Sequence, residues 1–197
     1  MKKKLTSFFA VVIISALIIG CGSNTDNGKA GLTFQKDGSV IHTIVEEFAE
    51  SYYNLDEFKA SVEEQIAVYS NTAGENRIQL NSADVSDGVI KVEMRFGKPS
   101  AYTGFYKKAL FCGTIREAVN AGYDLDITLS SAENSDVKIG KTQILEMSDR
   151  HIIVVREAVP IRPYAEILYT SGDVEVSEDR KEAIPGNSEN LSYIIFK

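Results

Sequence analysis

The amino-acid sequence predicts an α+β fold: a mainly antiparallel sheet with two to three helices in a single domain. Three observations predict it. Between Ile78 and Phe96, apolar and polar residues alternate on both sides of Ser86-Asp87-Gly88, as in a hairpin with one buried and one wet face. Phe58, Val62, Ile66 and Tyr69 recur at helical spacing, while Lys59, Glu63 and Glu64 fall off that line. The C-terminal half is a succession of short strand-like runs, and strands with a few helices sum to α+β.

In chain order, Leu32–Gln35 and Val40–Val45 flank Lys36-Asp37-Gly38-Ser39, and Asp-Gly is a strong hairpin signal. The helix that follows has Asn54 as N-cap, with Asp56 and Glu57 suited to its positive start, and it ends over residues 71–74. After the 78–96 hairpin, residues 99–122 read as one or two helices. Tyr102, Phe105, Tyr106, Ala109 and Leu110 form one stripe, and a short piece from Thr114 to Ala121 is stopped by Gly122. Strands are expected at Leu125–Leu129, Ile144–Met147, Ile152–Val155, Ile167–Thr170, Val174–Val176 and Tyr193–Phe196. Ile152–Val155 is apolar on both parities and suits a central strand. Pro160 and Pro163 mark an edge or crossing loop, and residues 178–190, with Pro185-Gly186, read as a mobile surface loop. These elements assemble into a sheet with helices on one face.

The first twenty of the 197 residues differ from the rest: Lys2, Lys3 and Lys4 precede an uncharged run, and no acid occurs. Without those three lysines, 18 basic residues face 28 acids, a net charge of −10. So acidic a chain argues against nucleic-acid binding, which needs clustered Lys and Arg. Two cysteines and two histidines, none at metal-ligand spacing, do not read as a Cys/His structural zinc site. The apolar run from Leu5 to Gly20 would be about 24 Å long as a helix, short of the ~30 Å hydrocarbon core, which favours a cleaved export signal.

Leu17-Ile18-Ile19-Gly20-Cys21 looks like a bacterial lipobox. The resemblance implies diacylglyceryl transfer to the Cys21 sulfur, cleavage after Gly20 and a mature chain anchored by its lipidated cysteine. Two acyl chains hold a protein on a membrane stably where one holds it marginally. Residues 22–31 are small and polar and read as a flexible tether. The expected organisation is a signal peptide over 1–20, a tether over 21–31 and a domain over 32–197. Acylation of Cys21 leaves Cys112 without an intramolecular partner, so no disulfide is expected.

Motifs that carry chemistry are mostly absent. Gly140-Lys141-Thr142 has the end of a P-loop, but Ser135 stands where its first glycine belongs, and a strand is expected to follow. Ser135-Asp-Val-Lys138 fits Ser-x-x-Lys without the companion motifs of penicillin-recognising enzymes. Calcium loops placed on Gly88 or Gly28 lack ligands, and Asp124 with Asp126 reads as two solvated acids at a strand start. Cys112, between Phe111 and Gly113, keeps core-like company, although a helix starting at Thr114 would lower its pKa. His42 and His151 have no ligand partner at metal spacing. No catalytic, cofactor-binding or metal-binding residue is assigned, and Cys21 is the one site residue.

Several strings together, Lys36-Asp37-Gly38, Tyr52–Phe58, Leu110-Phe-Cys-Gly-Thr114, Ile167–Ser171 and Tyr193–Lys197, resemble small uncharacterised lipoproteins of clostridia-like Gram-positive bacteria. The resemblance implies an extracytoplasmic, lipid-anchored location and carries no activity with it. The sequence therefore points to a non-enzymatic binding or interaction module at the outer face of the cell membrane, for an envelope protein, a peptide or a wall polymer. The alternative is an extracytoplasmic hydrolase acting on a cell-wall or peptide substrate.

Overall fold

The structure, a computed structural model, describes residues 29–50, 53–73 and 77–197. The expected leader, Cys21, nearly all of the tether, Tyr52 and Gly74 lie outside the described residues. Strands β1 (Gly31–Phe34) and β2 (Val40–Glu47) pair antiparallel around the Asp37-Gly38 turn. Gly38 takes a positive φ there, and the Asp37 carboxylate accepts the Ser39 N–H. Asn54 caps α1 (Leu55–Ala73), its Oδ1 accepting the N–H groups of Asp56 and Glu57 at 2.9 and 3.1 Å. The next hairpin joins β3 (Ile78–Ser86) to β4 (Val89–Phe96) through Asp87 and Gly88, both at positive φ. Paired positive φ values match the twist of the strands they connect.

The chain continues through α2 (Pro99–Tyr106), β5 (Leu110–Thr114), α3 (Ile115–Asn120), β6 (Leu129–Ser131) and β7 (Lys138–Ile139). Then follow α4 (Lys141–Glu146), β8 (His151–Val155), β9 (Ile161–Arg162) and β10 (Ile167–Ser171). The last strands are β11 (Val174–Val176), β12 (Ala183–Pro185) and β13 (Ser192–Phe196). The thirteen strands among the described residues form two sheets, ordered β11-β12-β9-β1-β2-β4-β3 and β5-β8-β13-β10-β6-β7. Every pairing is antiparallel except β1 with β9. With four helices they make a single α+β domain.

The second sheet is covered on both faces, which explains its nearly continuous apolar strands. Ile153, Val155, Ile194 and Phe196 face the first sheet and pack with Leu32, Val92, Phe96 and Tyr102. Their neighbours Ile152, Val154, Tyr193 and Ile195 turn the other way, into a smaller core with Ile115, Ala118 and Ile144 of α3 and α4. Helix α1 lays Phe58, Val62, Ile66 and Tyr69 against the larger core.

Several expectations are corrected. The single sheet with helices on one face is two sheets, with α1 and α2 on the larger core and α3 and α4 on the smaller. Against the expected two to three helices, the described residues contain four. Residues Ile144–Met147 are not a strand: Lys141–Glu146 is helical, opened by the Gln143 side chain accepting the Gly140 N–H at 3.1 Å. The expected strand Leu125–Leu129 begins only at Leu129. The aromatic stripe ends at Tyr106, where Lys107 turns left-handed, and Leu110 opens a strand instead. Residues 178–190 contain β12, and Ile161–Arg162, between the two prolines, lies inside the first sheet rather than at an edge.

Candidate functional site

Cys112, on β5, pairs opposite Ile153 of β8, and its thiol rests half-buried against the larger core. Thr114 does cap α3 in a reciprocal capping box with Glu117, yet burial, reinforced by the Glu117 charge, pushes the thiol up to about 12. Burial outweighs the helix start, so the thiol is protonated at neutral pH. His151 lies opposite Thr114, which makes it a diagonal neighbour of Cys112 on the same face. No hydrogen bond joins the two among the described residues. The His151 ring packs instead at 5.8 Å from Tyr164 and 5.6 Å from Phe196.

His42 sits on the inner face of β2, its ring 5.5 Å from Tyr102 and 5.3 Å from Tyr106, both edge-on. Burial, with the Lys108 charge, lowers its pKa to about 4, so the ring is neutral at pH 7. Its Nδ1 lies 3.3 Å from the Tyr106 hydroxyl, which lies 3.3 Å from the Met94 sulfur. One proton assignment serves both contacts: Nδ1–H donates to the phenol, and the phenol donates to sulfur. The other tyrosine, Tyr102, donates to Glu157 Oε1 at 2.8 Å, and Lys108 donates to Glu157 Oε2 at 2.6 Å. Glu157 is 4% exposed, so these two donors replace its water. Burial first, and the Glu157 charge second, hold both tyrosines well above the usual phenol range.

Sequence reading identified Tyr102 and Tyr106 as core but missed Glu157 and Lys108, two charges 49 positions apart that meet only in the fold. Arg156-Glu157 after an apolar strand reads as ordinary exposed loop, and no local signal marks it otherwise. The Tyr102–Glu157–Lys108 part of the cluster is a closed circuit: the phenol, both carboxylate oxygens and the ammonium each have a partner, and it holds α2 to the segment after β8.

Asp124 and Asp126 do not converge on a cation. The Asp124 carboxylate accepts the Asp126 N–H at 2.8 Å, and Asp126 faces Lys141 at 3.8 Å. Among the described residues no group of three His, Cys, Asp or Glu side chains could hold a metal ion. Gly140 does precede a helix, contrary to the sequence expectation, but Ser135 still occupies the glycine position a phosphate loop requires. Ser135 itself lies at the rim of a groove.

That groove, of ≈ 360 Å³, opens where the two sheets part, between β6 and β10 on one side and β11 on the other. Hydroxyls of Ser130, Ser131, Ser135, Thr170 and Ser171 line it, with Ala132, Val174 and Val176 as its apolar wall and Glu133 at the rim. Ser131 and Ser171 are engaged with backbone N–H groups of Glu133 and Tyr193. Thr170 is different. It is 4% exposed, its hydroxyl makes no hydrogen bond among the described residues, and it contributes to the groove surface. That hydroxyl is not sealed off within the fold, so it bonds whatever occupies the groove, water or ligand. No lysine or arginine lines the groove, so it offers no counter-charge to an anion. Sequence reading found none of this, because β6 and β10 are 36 or more positions apart and serine-rich loops are common.

No protein-family model matches the chain, and neither a curated protein nor a solved structure shows significant similarity to it.

Proposed function

We propose that the protein is a non-enzymatic binding module, held at the outer face of the cell membrane through a lipid on Cys21, whose groove between β10 and β11 receives an uncharged or basic envelope ligand. One observation carries the reading: on the otherwise buried Thr170, a hydroxyl without a hydrogen-bond partner among the described residues opens into a groove walled by further hydroxyls and three small apolar side chains. The buried titratable groups lend themselves to structure rather than chemistry. Cys112 is protonated, His42 is neutral and bonded to Tyr106, and Glu157 is bonded twice.

The position of the groove supports a role close to the membrane. Leu32 pairs with Ile161, Ile161 with Ala183, and Ala183 with Val176. Three strand spacings therefore separate the groove wall from the start of β1, roughly 14 Å. The ten-residue stretch 22–31 reaches at most ~36 Å. A ligand in the groove would lie within tens of ångströms of the anchor.

Two measurements test the proposal. Cys21→Ser is expected to move the protein out of the salt-washed membrane fraction, and retention there removes the anchor. Thr170→Val, which takes away no internal hydrogen bond, is expected to lower binding to isolated cell-wall sacculi or to envelope peptides without lowering stability. Equal binding by wild type and variant rejects the groove.

A further inference from the structure

The groove has a backbone wall as well as a side-chain one. In the β11–β12 register, Val174 faces Pro185 and Val176 faces Ala183. The hydrogen bonds flanking this pair run from Gly186 N–H to the Asp173 carbonyl and from Ser177 N–H to the Glu182 carbonyl. In an antiparallel ladder bonded pairs alternate with unbonded ones. Asp173, Glu175 and Ser177 therefore turn their backbone groups toward β12. Val174 and Val176 turn theirs the other way, off the free edge of the sheet. These two are the β11 residues that line the groove. β11 ends its sheet, and Val174 and Val176 make no backbone hydrogen bond on that side among the described residues. β10, across the groove, is already paired on both sides, with β13 and β6. So the groove presents one unused ladder edge, of β11, opposite the unbonded hydroxyl of Thr170.

We infer that the ligand is an extended peptide segment of another envelope protein, which adds as a strand to β11. This rests on the binding-module reading above and names its ligand class. The outward N–H and carbonyl groups of Val174 and Val176 pair with the peptide backbone, the commonest source of affinity in strand addition. Ala132, Val174 and Val176 leave room for small or β-branched side chains. Thr170 bonds a polar group on the opposite edge of the peptide. Charge adds little selection: Glu133 at the rim already faces Arg180 at 3.4 Å, and Glu175, between the two groove-lining valines, turns to the other face of β11. A glycan would leave the backbone edge unused, and it finds no aromatic face in the groove on which to stack.

Proline at position 176 isolates the interaction. It removes an N–H that points outward, and so leaves the β11–β12 ladder intact on an edge strand where proline is tolerated. Phage-displayed random decapeptides would be selected on the full detergent-purified chain, and recovered peptides resynthesised and titrated. The expected result is recovery of peptides whose Kd rises roughly tenfold on Val176→Pro, the loss of about one hydrogen bond with its donor. Amide exchange at Val174 and Val176 in the wild type, slowed when the peptide is bound, supports the inference even where the proline variant fails to fold. Peptides that bind without slowing those amides overturn strand addition but leave the binding module. Recovery of no peptide, with soluble peptide-free glycan strands bound in a Thr170-dependent way, overturns the peptide and again leaves the module. If neither peptides nor glycan strands bind, both fall.

Discussion

Glu157 offers the sharpest test of how the interior is held. Replacing it with alanine removes the acceptor of both the Tyr102 hydroxyl and the Lys108 ammonium. The phenol, on a residue 1% exposed, is then stranded, which costs about 1–3 kcal/mol. Lys108 escapes more cheaply, because 35% of its side chain is exposed and its ammonium can swing to water. The full ~3–5 kcal/mol for breaking a buried ion pair is therefore an upper bound, and about 2–4 kcal/mol in all is expected. Equilibrium urea unfolding, followed by tyrosine fluorescence since the chain has no tryptophan, measures it. Tyr102→Phe supplies the second edge of a double-mutant cycle, with a coupling of about 1 kcal/mol expected between the two positions. An alanine variant within about 0.5 kcal/mol of wild type, or additive mutations, would refute the account of a fully partnered buried circuit.

Other consequences are checked as readily. Ser70 Oγ is buried without a hydrogen-bond partner among the described residues, so Ser70→Ala is expected to raise stability by up to about 1 kcal/mol in the same urea titration, and a loss would contradict it. A Cβ on Gly104 would run into the Tyr69 hydroxyl and ring edge, so Gly104→Ala is expected to push the Tyr69 ring out of its packing on Phe105 and lower the midpoint. An unchanged midpoint would mean that the Tyr69 ring gives way freely. With a thiol pKa near 12, Cys112 should react with iodoacetamide at pH 7 far more slowly than a free cysteine, and rapid labelling of the native protein would show the burial to be wrong. His42, lowered from 6.5 to about 4, binds its proton more readily in the unfolded chain, so between those pH values stability rises with pH and is lost on acidification. His42→Gln should flatten that segment of the stability–pH curve, whereas Asp37 and Glu166, depressed by their hydrogen bonds and cations, act at lower pH. An unaltered slope would count against a buried neutral imidazole.

Much of the fold was legible where the pattern was local. The Asp37-Gly38 and Asp87-Gly88 turns, the Asn54 cap and the alternation in β4 each state their structure within a few residues, and each stands as read. Legibility failed where tertiary context decides. Ile144-Leu-Glu-Met147 is short enough to suit strand or helix, and only the docking of Ile144 into the smaller core selects helix. Leu110–Thr114 follows a helical stripe without a break in hydrophobicity; the left-handed Lys107 and a vacant edge beside β8 make it a strand. The second sheet could not be inferred from runs of equal apolarity, because both faces of Ile152–Val155 look alike in sequence whatever covers them. The groove was the least legible part. Its polarity comes from residues on three elements, and its free edge depends on the parity of a ladder that no local motif encodes.

The entry of the chain into the first sheet also has a mechanical meaning. The Arg162 guanidinium clamps the carbonyls of Lys29 and Ala30 at 3.3 and 3.1 Å and is itself braced by Glu182 at 2.7 Å. Tension applied ahead of residue 29 is thus delivered to a strand inside the sheet, not to its rim. β1 is gripped between β2 and β9, so its bonds lie across the direction of pull and must fail together, in shear. From there the load path crosses β9 and β12 to β11, the strand beside the groove. A load placed on β11 and a load on the N-terminal segment would thus be carried by the same few ladders of the first sheet.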